Sequence, residues 1–419
     1  MNLRTSLVAI AFSLAGFFSA PIALAQDDRT ESAPDVVILK DGTEIRGTIV
    51  KELIGYVWID VGGEEEKFLS PGEIESFTRT SAPEPTHKNQ QDQTLIGEPE
   101  QWERVPGVTR AAILTAEGMV GMQFVAKPLR EAIPMLKAEG IDLVVIKVNS
   151  GGGMLLEVQA ISDVLHDEYK PEFALVGWVD SAISAAAVAS LTFEQLYFMP
   201  KGNFGASTYS GVFSTVKIDP EPMVRFVESI TKRGNRSFFV ANAMCHNVQL
   251  SYDVDEETGK VSFYDSLDGE HVLNDGTEIL TFNANSARDC GFSSGTAGTI
   301  EELQALLEKS VGEIVWVGEK VEGIPYPVCK AEQYQRDYRK EVDFQETRFA
   351  EIVNKYAMEL QNAQSVPVDS RGGFLRRAES FLAQIKRLHN INPNFGLRNG
   401  YDGDWIRRQE EVIRQLRRG

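Results

Sequence analysis

The sequence predicts an α/β protein built around a parallel sheet, with a small all-β unit before it and a helical region after it. Three observations carry the prediction. Apolar, β-branched runs at 143–148, 173–179 and 196–199 read as strands buried on both faces, with helical stretches between them. Residues 34–80 alternate short β-rich runs with tight turns. From Ala331 onward, long stretches with helical spacing replace both textures. Strands alternating with helices are expected to lie parallel, joined by right-handed crossovers.

Taken in order, the chain opens on a secretory signature. Arg4 supplies a positive end, 7–18 is an apolar run, and Ala23-Leu24-Ala25 is a small-x-small cleavage site before Gln26. Residues 1–25 are therefore expected to be a signal peptide, and the mature protein periplasmic or extracellular. No later segment is expected to span a membrane. The most apolar candidate, 173–191, carries Asp180 and several serines. Strands are expected at 36–39, 44–50, 56–61, 67–69 and 74–77, with Lys40-Asp41-Gly42-Thr43 as a hairpin turn. Five short strands so spaced predict an SH3- or Sm-like barrel over 34–80, with an interaction or packing role. Residues 81–106, rich in Pro, Gln, Asp and Glu, read as a linker.

The main domain is expected over 107–320. Its first strand is 110–114. A helix over 122–138 follows, with Val125, Leu129, Ile133 and Leu136 on its apolar face. The strand at 143–148 runs into Gly151-Gly152-Gly153, a sharp turn, and then into a helix carrying Leu155, Val158, Ile161 and Leu165. After the strand at 173–179 comes a Ser/Ala stretch over 181–189, small enough to let a helix press on a sheet. Residues 202–207 read as the loop after the third strand. Helices are expected around Met223–Ile230 and through Phe239 and Met244, then a β-hairpin insertion at 248–275 projecting beside the cleft. The helical region covers 331–419. Its first helix, 334–362, offers Tyr338, Phe344, Phe349, Ile352 and Tyr356 for burial. Two more are expected at 374–388 and 405–416.

Composition narrows the function. The 419 residues carry a formal net charge of -19, which disfavours a nucleic-acid partner because phosphate binding wants a basic face. The basic exception is the last helix, with Arg407, Arg408, Arg414, Arg417 and Arg418. It reads either as a peripheral contact for anionic lipid or an acidic partner, or as a solvated helix pairing with the chain's own carboxylates. Cys245, Cys290 and Cys329 have no zinc-site spacing. They leave open one disulfide plus a spare thiol, or three buried thiols. No cofactor or metal is expected.

Ser184 is the residue that suggests chemistry. A serine hydroxyl is a weak nucleophile and needs a base within hydrogen-bond reach and donors for the oxyanion it generates. Ser184 follows a strand and opens a helix, a position that offers free N–H groups, including that of Ala185. The Gly151-Gly152 turn lets a second backbone approach without side-chain hindrance. The competing reading is that Ser184 is simply one more small residue in an alanine-rich packing helix.

Three pieces of this stretch resemble the ClpP/crotonase superfamily. They are Val148-Asn149-Ser150-Gly151-Gly152, Ala182-Ile183-Ser184-Ala185-Ala186, and Met199-Pro200-Lys201-Gly202-Asn203-Phe204-Gly205-Ala206. They are similar, in order and spacing, to the Asp-Thr-Pro-Gly-Gly, Ala-Ala-Ser-Ala-Gly and Met-Ala-Pro-Gly-Thr motifs of membrane-associated ClpP-class serine proteases of the NfeD and signal-peptide-peptidase-A types. The likeness covers 107–317. It implies a serine endopeptidase acting on exported or membrane-associated polypeptides, Ser184 as nucleophile, and Gly151, Gly152 and Ala185 as the oxyanion hole. It also implies a homo-oligomer. Ala186 stands where the family has Gly, and Asn149-Ser150 where it has Thr-Pro. In NfeD-type relatives the base is a lysine. Counting forward from the Gly205 motif lands on Arg225, which cannot be deprotonated; counting back from Gly234-Asn235 lands on Lys217, flanked by Val216 and Ile218. The resemblance therefore implies a Ser184–Lys217 dyad, with His246 and His271 as the histidine alternatives. The rival expectation is a degenerate scaffold or binding protein that has kept the fold.

Overall fold

The computed structural model describes residues 34–53, 56–62, 66–69, 73–78, 80, 107–208, 220–397 and 400–418. The expected signal peptide, the expected linker and Lys217 lie outside the described residues.

The N-terminal unit contains β1 (Asp35–Leu39), β2 (Glu44–Leu53), β3 (Tyr56–Asp60), β4 (Glu66–Leu69) and β5 (Ile74–Thr78). They form an antiparallel sheet in the order β4-β3-β2-β1-β5 around Val37, Ile49, Val57, Ile59, Leu69 and Ile74. Asp35 is buried, and its carboxylate accepts the N–H groups of Ile49 and Thr80, each at 2.7 Å. A buried carboxylate needs such donors. Here they tie the start of the unit to its middle and its end.

The central region begins with β6 (Val108–Glu117), α1 (Ala126–Ala138), β7 (Leu143–Ser150), α2 (Leu155–Asp163), β8 (Ala174–Ile183), α3 (Ala185–Ser190) and β9 (Gln195–Gly205). It continues through α4 (Pro220–Arg233), α5 (Phe238–Cys245), β10 (Gln249–Val254), β11 (Val261–Tyr264), β12 (His271–Asp275) and β13 (Thr281–Asn283). It closes with α6 (Ala284–Asp289), β14 (Gly295–Thr296), α7 (Ile300–Val311) and β15 (Glu313–Trp316). Seven strands make one sheet in the order β13-β9-β8-β7-β6-β15, with β14 also on β9. Only the β13–β9 pairing is antiparallel. The two-residue period of a strand divides β7 between two cores. Val144, Ile146 and Val148 face the side packed by α1 to α5, and Leu143 and Val145 face the side covered by α7. All five are fully buried, which is why the run is apolar without alternation.

Three local expectations change, and one open alternative is decided. The first helix starts at Ala126, because Met122, Gln123 and Phe124 all turn their N–H groups onto Met119 O. The stretch at 202–205 is strand, since Asn203, Phe204 and Gly205 pair with Ser181, Ala182 and Ile183 after an interruption in the β8–β9 register. The insertion is a three-stranded sheet, β11-β10-β12, because β12 returns along β10 and leaves β11 on the other edge. The three cysteines are buried and joined by no disulfide; burial pushes Cys290 up to about 11 and Cys329 up to about 12.

The C-terminal region consists of α8 (Lys330–Gln364), α9 (Gly372–Ile391), α10 (Asn394–Leu397) and α11 (Gly403–Arg418). Tyr338, Phe349, Ile352 and Tyr356 are buried along α8 as expected. Phe344 is not: it is 54% exposed and lies under the Arg348 guanidinium. The start of α8 is clamped to β6. Glu332 is fully buried and accepts the N–H and hydroxyl of Thr115 at 2.8 and 2.7 Å and Arg336 Nε at 2.7 Å. Arg339 donates to Thr115 O at 2.8 Å. Burial raises the Glu332 pKa against the pull of Thr115 and Arg339. Removing one member of such a buried network costs about 3–5 kcal/mol, so α8 is fixed to the sheet rather than resting on it. On α11, Arg407 pairs with Asp404, Arg414 with Glu411 and Arg417 with Glu379. Among the described residues no helix is long and apolar enough to cross a membrane.

Candidate active site

Strand β8 ends at Ile183 and helix α3 begins at Ala185. Ser184 alone makes the turn between them, at φ +55 and ψ -126. Side chains rarely adopt this conformation, and holding one there costs about 1–3 kcal/mol. The surroundings over-determine it. Ser184 N–H donates to Gly205 O at 2.8 Å, and Ser184 O accepts Val188 N–H at 3.1 Å and Ser207 Oγ at 3.2 Å. Gly205 sits at φ +127, where a Cβ would meet Leu280 O at 2.5 Å. Ala206 follows at φ +48, donating to Leu280 O at 3.1 Å. Of the three described non-glycine residues at positive φ, Ser184 and Ala206 thus share one small region, and Asn235 is the third. Strain gathered in this way is a mark of functional sites.

The glycine turn meets this serine. Gly152 is buried at φ +96, and a Cβ built on it would lie 2.7 Å from Ser184 Cβ, 2.7 Å from Ile183 O and 3.2 Å from Ala185 N. Only a glycine permits that approach. Gly152, Ser184 and Ala185 are therefore brought into close contact, as the parallel-sheet reading requires. Gly151 is exposed, with open space where its Cβ would be.

The turn is held from behind. Val120 N–H donates to Gly152 O at 2.9 Å, and Met154 N–H donates to Val120 O at 2.9 Å. The 119–125 loop is itself propped by Asn392, at the end of α9. Asn392 is 2% exposed, and its amide donates to Gly121 O at 3.0 Å and Met122 O at 3.1 Å. Gly152 N–H, however, donates to Ser150 Oγ at 3.2 Å, and Ser150 is 2% exposed. Sequence reasoning named Gly152 and Ala185 but missed Ser150, Ser207, Val120 and Asn392. Ser150 lies inside a motif that it did single out, and Ser207 directly follows another. Nothing in the sequence links Asn392 to a loop some 270 residues away.

The candidate bases are placed as follows. Lys217 is outside the described residues. Arg225 is exposed on α4. His246 follows α5, and its Nδ1 lies 2.8 Å from Asn242 Oδ1 of that helix. The neighbouring Met244 O accepts Ser207 N–H at 2.7 Å, so the end of α5 is rooted next to the serine. His271 is exposed in the insertion and packs on the Tyr252 ring at 5.0 Å. Among the described residues, Ser184 Oγ has no hydrogen-bond partner, and no group of three or more His, Cys, Asp or Glu side chains is arranged to hold a metal ion.

No family model and no curated protein matches the chain. Solved structures with a likeness exist. One is a serine-to-alanine mutant of the 1510-N membrane-bound stomatin-specific protease, 13% identical, covering 51% of this chain and 99% of that one at a TM-score of 0.37. A second is a lysine-to-alanine mutant of that protease in complex with a substrate peptide, 12% identical, covering 56% and 98% at 0.39. A third is the 1510-N membrane protease specific for a stomatin homolog from Pyrococcus horikoshii, 12% identical, covering 50% and 92% at 0.34. Likeness at these values leaves function to be read from the site itself.

Proposed function

We propose that this protein is an exported serine peptidase with a ClpP/crotonase-like core, acting on exported or membrane-associated polypeptides. Ser184 is the nucleophile, Lys217 the general base, and the N–H groups of Ala185 and the Gly151-Gly152 turn the oxyanion hole. The observation that carries this reading is the strained Ser184 turn pressed against Gly152. A packing serine has no need of φ +55, and a helix could begin there without it. A nucleophile gains from it, because the sharp strand-to-helix turn presents Oγ together with the first free N–H of the helix.

In this mechanism the Lys217 amine, which must be neutral to act as a base, takes the hydroxyl proton as Ser184 Oγ attacks the scissile carbonyl. The tetrahedral oxyanion accepts the backbone N–H groups. The proton passes to the leaving amine, and water, deprotonated by the same lysine, releases the acyl group. The N-terminal sheet is an SH3/Sm-like barrel with an interaction role. The enzyme is a homo-oligomer outside the inner membrane. Lys217→Ala and Lys217→Arg should both abolish peptide hydrolysis with melting unchanged, since a guanidinium stays protonated. Wild-type turnover in both would exclude the dyad and make His246 the next residue to replace.

A second reading, a non-catalytic scaffold, has one observation in its favour. Gly152 N–H is donated inward to Ser150 instead of toward the space beside Ser184.

A further inference from the structure

We infer that Ser150 is a positioning residue that latches the oxyanion site. Its hydroxyl holds Gly152 N–H turned inward in the resting protein, and the Gly151–Gly152 peptide turns over to present that N–H when a substrate carbonyl enters. This rests on reading Ser184 as the nucleophile.

An amide carries one proton, so Gly152 N–H cannot serve Ser150 Oγ at 3.2 Å inside the protein and an oxyanion outside it at once. The neighbouring backbone shows which part is free to move. Gly152 O is fixed by Val120 N–H, and Val120 is fixed in turn through Met154. The loop around Val120 is held by the Asn392 amide. The Gly151–Gly152 peptide has no such anchor. Among the described residues, Gly151 O takes part in no hydrogen bond, and a Cβ on Gly151 would meet nothing within 4 Å. Turning this peptide over changes ψ at Gly151 and φ at Gly152, both glycines, for which the required angles are open. The one bond broken among the described residues is that to Ser150. The incoming oxyanion then replaces a neutral hydroxyl as acceptor, and a charged acceptor makes the stronger bond. Ser150 thus explains why an inward N–H and a nucleophile turn coexist at one site.

The test compares the wild-type mature chain with Ser150→Ala and Ser150→Thr. The probes are a fluorophosphonate, with mapping of the labelled residue, and hydrogen exchange at the Gly152 amide. One buried hydrogen bond favours the latched state by roughly 2- to 10-fold. Ser150→Ala should therefore label Ser184 about that much faster, raise kcat with KM unchanged, and speed Gly152 exchange by the same ratio. Ser150→Thr keeps the acceptor and should behave as wild type. Labelling or exchange in Ser150→Ala that is equal to or slower than wild type, with melting unchanged, would overturn the latch. The exchange measurement does not depend on catalysis. Absent labelling at Ser184 in every variant, with exchange accelerated as expected, would therefore remove the nucleophile and leave the hydrogen bond as only a structural tie, overturning its role.

Discussion

Replacing Ser184 by glycine and by alanine separates the strain at this position from its chemistry. Both variants lose Oγ, and both should lose hydrolysis. They differ in backbone freedom. At φ +55 and ψ -126 an alanine keeps the steric cost that the serine bears, about 2 kcal/mol at the middle of the range for such residues. A glycine removes that cost but gives the unfolded chain more freedom, worth about 0.5–1 kcal/mol. The difference leaves Ser184→Gly more stable than Ser184→Ala by about 1 kcal/mol. For a domain of this size that is a melting temperature higher by about 2–4 °C. Differential scanning calorimetry of the two purified variants reads it directly. A glycine variant melting at or below the alanine variant would show that the turn is relaxed, and the strain would no longer support a functional site.

Other consequences concern the surroundings of the serine. Gly152→Ala places a methyl 2.7 Å from Ile183 O and Ser184 Cβ; it should abolish labelling of Ser184 and lower stability by about 2–4 kcal/mol in urea unfolding. Asn392→Ala leaves Gly121 O and Met122 O without their donor; a loss of about 2–3 kcal/mol is expected, with reduced kcat at near-normal KM, and unchanged activity would show that α9 does not support the turn. Burial holds His389 below the ordinary imidazole range, with Asp402 pulling it partly back. A depressed folded pKa gives stability that is present above the unfolded value of 6.5 and lost as the pH falls through the folded one. His389→Gln should therefore flatten the fall in melting temperature below about pH 6.5, and an unaltered slope would assign the acid loss to other groups.

What could be read from the sequence follows from what each signal encodes. The runs at 143–148 and 173–179 are apolar because they are covered on both faces, so composition alone located them in β7 and β8. The meeting of the glycine turn with Ser184 was legible because both lie at the ends of adjacent parallel strands. The strained φ of Ser184 was not. Serine carries no propensity for it, and it is imposed by partners at Gly205 and Ser207. The strand at 202–205 read as a loop because Gly202 and Gly205 are poor strand formers, and pairing with β8 overrode that preference. Phe344 read as core because helical spacing cannot tell which stripe of a 35-residue helix finds a partner. The tie from Asn392 to the 119–125 loop depends on tertiary packing alone.

Reaction of the purified protein with a fluorophosphonate, followed by peptide mapping, tests the central claim most directly. A hydroxyl activated by a base and flanked by oxyanion donors should be phosphonylated at Ser184 alone, stoichiometrically, and not in Ser184→Ala. Absence of label from folded wild-type and Ser150→Ala protein, or label at another serine that persists in Ser184→Ala, would contradict it.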